Sequence, residues 1–251
     1  MNASAFAPGP DDAVPAAPMA REVLRHRLST RLWHWLNAVV IIVMLMSGAM
    51  IFNAHPRLYW GQFGANFDPA WLELPQFPGW ATIPSTYDLA GARRWHLAFA
   101  WLFGVSTALY LLAALLNGHL KRDLLPSPRE LAPAHLWRDI VDHARLRFPT
   151  GDAAARYNTL QRLSYGTVVL LLIPLMILSG LAMSPALNAA WPWLLDLFGG
   201  RQSARSVHFI CAGALLLFIL VHILMVLLAG PVNEVRSMVT GRFRLPPERG
   251  A

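Results

Sequence analysis

The chain has 251 residues, of which 55% are hydrophobic and 14% charged, and its formal net charge is +7. Because about a quarter of the residues in an average soluble domain are charged, this composition excludes an ordinary soluble globular protein. The single cysteine excludes an intramolecular disulfide and an iron–sulfur cluster, and the lack of a CxxCH motif excludes covalent c-type haem.

Four apolar runs are long enough to cross a membrane, for which a helix needs about 20 residues. They lie at about 33–53, 94–116, 163–184 and 206–229. The sequence therefore predicts an all-α integral membrane four-helix bundle within residues 21–245. Residues 1–20 are rich in Ala and Pro and lack the apolar segment of a signal peptide, so we expect a disordered cytoplasmic tail. Residues 246–251 are expected to form a short C-terminal tail.

The basic residues predict the orientation of the spans. Four spans place 16 Lys and Arg residues on the side of both termini and 5 on the other side. Because the cytoplasmic side of a membrane protein carries the excess of these residues, both termini are predicted to be cytoplasmic. This pattern accounts for most of the net charge, so the charge does not indicate nucleic-acid binding.

The first span carries a histidine near its inner end, His34, between Trp33 and Trp35. One interpretation places all three in an interfacial aromatic belt. The other makes His34 a haem ligand at the cytoplasmic level. His26 lies two turns earlier among arginines and is expected to be solvated.

The outer segment 53–92 is too long and too aromatic for a simple connector. It holds three tryptophans and five prolines, so we expect a folded cap at the interface, which can also form a docking surface for a partner outside the membrane. His55 in this segment is expected to be a loop histidine.

The second span has His96 near its outer end and His119 at its inner end. A helix turns about 100° per residue, so these two histidines face different directions, and His119 is kept only as an alternative ligand. The basic connection 117–162 is predicted to contain an amphipathic surface helix, HLWRDIVDHARLRF. Its His135 and His143 are expected to face solvent, lipid or a partner.

The third span contains no histidine, and Pro174 is predicted to kink it. Just before it, Asn158, Gln161 and Tyr165 recur at i, i+3 and i+7 on one helix face. These residues either cap the start of the helix or bind a quinone headgroup beside the cytoplasmic haem.

The fourth span carries His208 and His222. Their separation by fourteen residues places them about 21 Å apart along a helix and about 40° apart around it. Ionisable residues inside a spanning helix are costly and indicate function. Matching the histidines by depth gives an outer pair, His96 and His208, and an inner pair, His34 and His222, suited to the axial ligation of two haems. A purely structural role would require a hydrogen-bond partner for each buried ring.

A faint internal repeat relates the two halves of the chain. A shift of 112 residues aligns Arg93-x-x-His96 with Arg205-x-x-His208, and a shift of 132 aligns Ser47-Gly48 with Ser179-Gly180. The chain is therefore interpreted as two related helical hairpins. Arg93 and Arg205 are candidate partners of haem propionates, or alternatively anchors of helix ends.

These motifs resemble the four-helix di-haem b-type cytochrome membrane subunits. The resemblance rests on RLWHWLNA in span one, RRWH in span two and the two histidines of span four. The group includes subunits of formate dehydrogenase, Ni–Fe hydrogenase and thiosulfate reductase, and bacterial cytochrome b561-like proteins. RYNTLQR is similar to the Tyr-Asn-x-x-Gln-Lys segment of the formate dehydrogenase subunit, with Arg162 in place of Lys. That similarity implies that Asn158 and Gln161 lie near a quinone.

The resemblance implies a multi-pass protein of the bacterial inner membrane with two haem b groups. Its function would be electron transfer between ubiquinone or menaquinone and a periplasmic redox enzyme, as the cytochrome b subunit of an oxidoreductase complex. HPRLYWGQFG and the segment before span four resemble members associated with molybdopterin enzymes. The alternatives are a free-standing cytochrome that oxidises superoxide or a small donor, and a non-redox proton or metal transporter with a histidine relay.

Overall fold

The structure is a computed structural model that describes residues 21–246. The predicted tail 1–20 and residues 247–251 of the predicted C-terminal tail lie outside the described residues. The α-helices are, in chain order, α1 (Leu28–Asn53), α2 (Leu89–Leu116), α3 (Pro133–Ala144), α4 (Thr159–Thr167), α5 (Ile173–Met183), α6 (Pro185–Ala190), α7 (Pro192–Leu197), α8 (Arg201–Ala229) and α9 (Pro231–Thr240). The short strands are β1 (Glu22–Leu24), β2 (Arg57–Leu58), β3 (Leu72–Glu73) and β4 (Arg242–Arg244).

Within the described residues, four helical segments are long and apolar enough to cross a membrane: α1, α2, Gly151–Met183 and α8. The predicted all-α four-span architecture is thus confirmed. Three of these helices, α1, α2 and α8, begin about five residues before the predicted apolar runs. At α2, the side chain of Asp88 accepts a hydrogen bond from the Gly91 amide at 2.8 Å.

The bundle is built from two hairpins, in which α1 packs against α2 and α5 packs against α8. Its apolar core joins side chains of all four spans, including Val40, Phe103, Ile173 and Cys211. Between α4 and α5 the third span contains a π-helical turn, Val168–Leu172. This widened turn directly precedes Pro174, whose ring displaces the carbonyl four residues earlier. The kink at Pro174 remains a prediction.

The outer segment forms the predicted folded cap. β2 pairs with β3 in antiparallel register, and Leu58 is completely buried. The cap is anchored on the start of α8, where Trp71 Nε1 donates to Ser206 Oγ at 2.9 Å and Ser206 Oγ donates to the Tyr59 carbonyl at 2.6 Å. His55 lies in this cap, as predicted, with its Nε2 3.2 Å from Tyr59 Oη.

Both ends of the described chain meet on one side of the bundle, which we call the inner side. β1 pairs with β4 in antiparallel register. Glu22 forms ion pairs with Arg236 at 2.6 Å and with Arg244 at 3.2 Å. These contacts hold the segment before α1 against α9 and β4.

The prediction that His26 is solvated is wrong. Its side chain is only 6% exposed. Its backbone amide donates to the Gly241 carbonyl at 3.3 Å, between the paired terminal strands, and Tyr157 Oη donates to its Nδ1 at 3.2 Å. Burial, reinforced by the nearby Arg25, lowers the pKa of His26 to about 3. His26 is therefore a neutral hydrogen-bond acceptor in the fold.

The predicted surface helix is α3, but its histidines do not face away from the protein. His135 Nε2 lies 3.0 Å from Thr159 Oγ1, and Asn158 Nδ2 donates to His143 Nε2 at 3.2 Å. Both histidines therefore connect α3 to the start of α4. Their spacing along an amphipathic helix does not reveal which neighbouring segment covers that face.

Candidate cofactor site

The structure brings together the histidine pairs that were matched by depth. The rings of His96 and His208 have centroids 6.2 Å apart and planes inclined by 62°. His34 and His222 show the same centroid distance of 6.2 Å and the same inclination of 62°. One pair lies near each end of the bundle, and each pair joins α8 to a helix of the first hairpin.

The spacing of the rings fits two imidazoles on opposite sides of one metal ion. An imidazole nitrogen binds a first-row metal at about 2 Å and lies about 1 Å from its ring centre, so two such rings have centres about 6 Å apart. Among the described residues, no group of three or more His, Cys, Asp or Glu side chains could hold a metal ion by itself. Two protein ligands per level fit haem iron, for which the porphyrin supplies the remaining ligands.

Two serines fix the orientation of the outer histidines. Ser47 Oγ donates to the Val43 carbonyl at 2.7 Å, so its oxygen is left to accept from His96 Nδ1 at 3.0 Å. With Nδ1 protonated, Nε2 carries the lone pair that binds a metal. The residues present at this level therefore hold the ring in the ligand-competent tautomer.

The second hairpin repeats this arrangement. Ser179 Oγ donates to the Met176 carbonyl at 3.0 Å and accepts from His208 Nδ1, also at 3.0 Å. His208 Nδ1 lies 3.1 Å from the same carbonyl of Met176. The Ser-Gly repeat seen in the sequence is thus a repeat of contacts that orient a histidine ring.

Each of these serines is followed by a glycine that the histidine ring approaches closely. A Cβ atom added at Gly48 would lie 3.4 Å from His96 Cε1, and one added at Gly180 would lie 3.3 Å from His208 Cε1. At Gly104 and Gly213, by contrast, an added Cβ would meet no described atom within 4 Å. Of these four glycines, only Gly48 and Gly180 therefore lie against a histidine ring.

The inner pair lacks such support. His34 Nδ1 is buried and has no hydrogen-bond partner among the described residues. His222 is held by aromatic contacts, stacked on Phe218 at 5.8 Å and edge-on to Tyr165 at 6.3 Å. In the repeat, Tyr110 stands where the second hairpin has His222, and it stacks on Trp33 at 4.3 Å.

Arg205 has other partners than the predicted propionate. Its guanidinium donates to the carbonyls of Arg57 at 2.7 Å and His55 at 2.5 Å. These bonds attach the outer cap to α8 and favour the alternative in which Arg205 anchors a helix end. Arg93 is exposed, and its pairing with a propionate remains a prediction.

Asn158 and Gln161 form a capping box at the start of α4. Asn158 Oδ1 accepts from the Gln161 amide at 2.9 Å, and Gln161 Oε1 accepts from the Asn158 amide at 3.2 Å. The helix-capping interpretation is therefore confirmed. Their proximity to a quinone remains a prediction.

Sequence reasoning did not find a polar cavity of about 350 Å³ on the inner side. His119 lines it and donates from Nδ1 to Asp123 Oδ2 at 2.7 Å, so this histidine has a carboxylate partner rather than a second imidazole. Burial raises the pKa of Asp123, but hydrogen bonds from Arg122 and His119 outweigh burial and lower it. We call this the arginine cavity after its lining residues Arg25, Arg122, Arg156 and Arg162.

The only sequence signal for this cavity is the clustering of basic residues at the inner ends of the spans. That clustering also serves membrane topology, so it does not by itself indicate a site.

Comparisons with known proteins give consistent matches over most of the chain. The family model described as prokaryotic cytochrome b561 matches residues 25–241. The chain is 32% identical over 211 residues to an Azospira oryzae protein named as the protein-methionine-sulfoxide reductase subunit YedZ1, with 84% of this chain and 94% of that protein covered. It is 24% identical over 251 residues to a Cupriavidus necator protein named as a B-type cytochrome subunit of a Ni/Fe-hydrogenase, with 94% and 93% covered. No solved structure matches the chain.

Proposed function

Because this chain belongs to the prokaryotic cytochrome b561 family, we propose that it is an electron-transfer subunit of the bacterial inner membrane with two haem b groups. His96 and His208 would hold the outer haem, and His34 and His222 the inner haem. The observation that carries the proposal is the equal 6.2 Å spacing of both ring pairs, together with the serine bonds that free Nε2 of the outer ligands.

Haem held by two imidazoles supplies reversible one-electron transfer and leaves no ligand position for a substrate. The protein's own contribution is to fix the two levels. The two histidines on α8 are fourteen residues apart, so they would hold the haems about 21 Å apart along the helix axis. Ser47 and Ser179 set the tautomer of the outer ligands, and the aromatic side chains Phe218 and Tyr165 orient His222.

On the inner side, the proposed exchange partner is ubiquinone or menaquinone. Tyr165 contacts the ring of His222 and lies on the helix that Asn158 and Gln161 cap. This position supports a quinone site beside the inner haem. The capping bonds use Asn158 Oδ1 and Gln161 Oε1, and one N–H of Asn158 donates to His143 Nε2. The groups left for a quinone are therefore the Gln161 amide N–H donors and the second N–H of Asn158.

On the outer side, the proposed partner is a periplasmic redox enzyme, more narrowly one of the molybdopterin class. The two relatives are both named as subunits, one of a protein-methionine-sulfoxide reductase and one of a Ni/Fe-hydrogenase. The outer cap presents exposed aromatic side chains, including Phe63, Phe67 and Trp80, that favour contact with a partner. Co-purification of such an enzyme would distinguish this function from that of a free-standing cytochrome.

The experiment that tests the proposal is a dithionite-reduced minus oxidised spectrum with haem counted as its pyridine haemochrome. We expect two low-spin b-type haems per chain. His96→Ala and His34→Ala should each reduce the count to one, with loss of different spectral components. A haem-free protein after expression with adequate haem would refute the proposal and return the histidines to a transport role.

A further inference from the structure

The arginine cavity lies among the inner ends of the first three spans. Arg25 precedes α1, Arg122 follows α2, and Arg156 and Arg162 flank the start of α4. Segments that are distant in the sequence thus bring four guanidinium groups to the wall of one cavity. Because like charges repel, such a cluster is stable only where anionic groups balance it.

Acidic side chains of the protein balance the cluster only in part. Ion pairs join Arg25 to Glu234 at 3.0 Å, Arg162 to Glu130 at 3.3 Å and Arg122 to Asp123 at 2.6 Å. Within the described residues, Arg156 has no such partner, and its exposed side chain lines the cavity from the solvent side. The Nε–H groups of Arg25 and Arg162 are buried and have no hydrogen-bond acceptor there. Buried donors of charged groups destabilise a fold when they stay unpaired, so these two N–H groups favour an anionic acceptor in the cavity.

The cavity is one aromatic layer away from the inner histidines. Tyr157 lines it and lies edge-on to Tyr165 at 5.3 Å, and Tyr165 contacts His222. On the other side, His119 lines the cavity and contacts Tyr110, which stacks on Trp33 beside His34 in the sequence. A ligand that spans from the inner histidines to the inner surface would therefore reach the arginines.

We propose that the arginine cavity binds the two propionate carboxylates of the inner haem. This inference rests on the proposed function, since it assigns an end to the haem held by His34 and His222. Carboxylates near the hydrocarbon require cationic partners, and the planar guanidinium binds them through two parallel hydrogen bonds. A phospholipid headgroup offers the same anionic oxygen chemistry through its phosphate, so the test must separate the two sources.

Arg156→Gln in the full-length protein is the sharpest test, because Arg156 has no protein carboxylate that its loss would leave unpaired. Arg156→Lys retains the charge, and Arg145→Gln removes an inner-side arginine outside the cavity. Each variant is titrated for the potentials of both haems. Infrared difference spectra are recorded with haem carrying ¹³C-labelled propionates. Bound phospholipid is measured as phosphorus per chain.

Loss of one positive charge from the wall that would hold the propionates should change the reduced-to-oxidised ratio of the inner haem by up to about tenfold toward the oxidised form. For a one-electron couple that is a fall of about 59 mV. We expect this shift in Arg156→Gln, together with a shift of the labelled carboxylate bands. Arg156→Lys should recover most of the potential, and Arg145→Gln should change neither quantity. Arg122→Gln provides a second cavity variant if Arg156→Gln does not fold.

Two normal haems with unmoved potentials and unmoved carboxylate bands in both cavity variants would overturn the inference while leaving the proposed function intact. If bound phosphorus falls in those variants instead, the cavity is a phospholipid site. A wild-type protein without haem would overturn the inference together with the proposed function.

Discussion

If the proposed outer haem is bound by His96 and His208, Ser47→Ala is expected to raise its midpoint potential. In the wild type, the hydroxyl accepts from His96 Nδ1 at 3.0 Å and thereby makes the imidazole a stronger electron donor. A stronger donor favours the oxidised iron, so loss of the bond favours the reduced iron. The alanine side chain fits the same site because it only removes an oxygen atom.

The size of the effect follows from the free energy of one hydrogen bond. A neutral intramolecular hydrogen bond contributes about 0.5–1.5 kcal/mol. If that energy is fully expressed in one oxidation state, the one-electron potential rises by about 20–60 mV. Ser179→Ala removes the equivalent bond to His208 and should act in the same direction, although the Met176 carbonyl at 3.1 Å remains as an acceptor.

The assay is a redox titration of purified protein followed at the absorption bands of both haems. Ser106→Ala is the matched control, since this buried serine bonds to Asn37 and contacts neither histidine pair. The reasoning is refuted if Ser47→Ala leaves the outer potential unchanged, or if it moves the inner potential instead.

Three further predictions follow from individual contacts. Gly180→Val should lose the outer haem and retain the inner one in a haem count, because even a Cβ at this position lies 3.3 Å from His208 Cε1, whereas Gly213→Ala should retain both. His26 is protonated below about pH 6.5 in the unfolded chain but only below about pH 3 in the folded protein. The free energy of unfolding should therefore fall by up to about 1.4 kcal/mol for each pH unit between these values. Thermal melts of a His26→Phe variant that lack this slope would confirm the cause. Asn158→Ala should cost about 1 kcal/mol of stability, and Asn158→Ser much less because serine also caps a helix. If quinol no longer reduces the serine variant, the Asn158 amide itself takes part in quinol binding. If reduction by quinol is unchanged in that variant, the amide has no such role.

Residue spacing and helix geometry were sufficient to predict which histidines pair, because these residues recur along regular helices. The fourteen-residue spacing of His208 and His222, matched by depth to His96 and His34, predicted the pairs that the structure brings together. The Ser-Gly repeat was visible too, but its role as a hydrogen-bond acceptor for the ring required the three-dimensional contact.

Contacts between distant segments could not be predicted in the same way. His26 lies among arginines in the sequence, yet it is buried beside a strand more than two hundred residues away. The arginine cavity joins the flanks of three spans, and no periodicity links Arg25 to Arg122 or Arg156. The capping box at Asn158 is a local pattern, Asn-x-x-Gln, and was available from the sequence as an alternative.

The origin of the ligands has a consequence for biogenesis. Each histidine pair takes one ring from α1 or α2 and the other from α8, so neither hairpin alone can complete a haem site. Haem bound at either level would therefore cross-link the two hairpins in addition to their shared apolar core. Any ligand that binds only the assembled form stabilises it by mass action, so the supply of haem would set the amount of mature protein that escapes proteolysis. Cells short of haem should accumulate inserted but unassembled chains, a state that limited protease digestion of membranes would reveal.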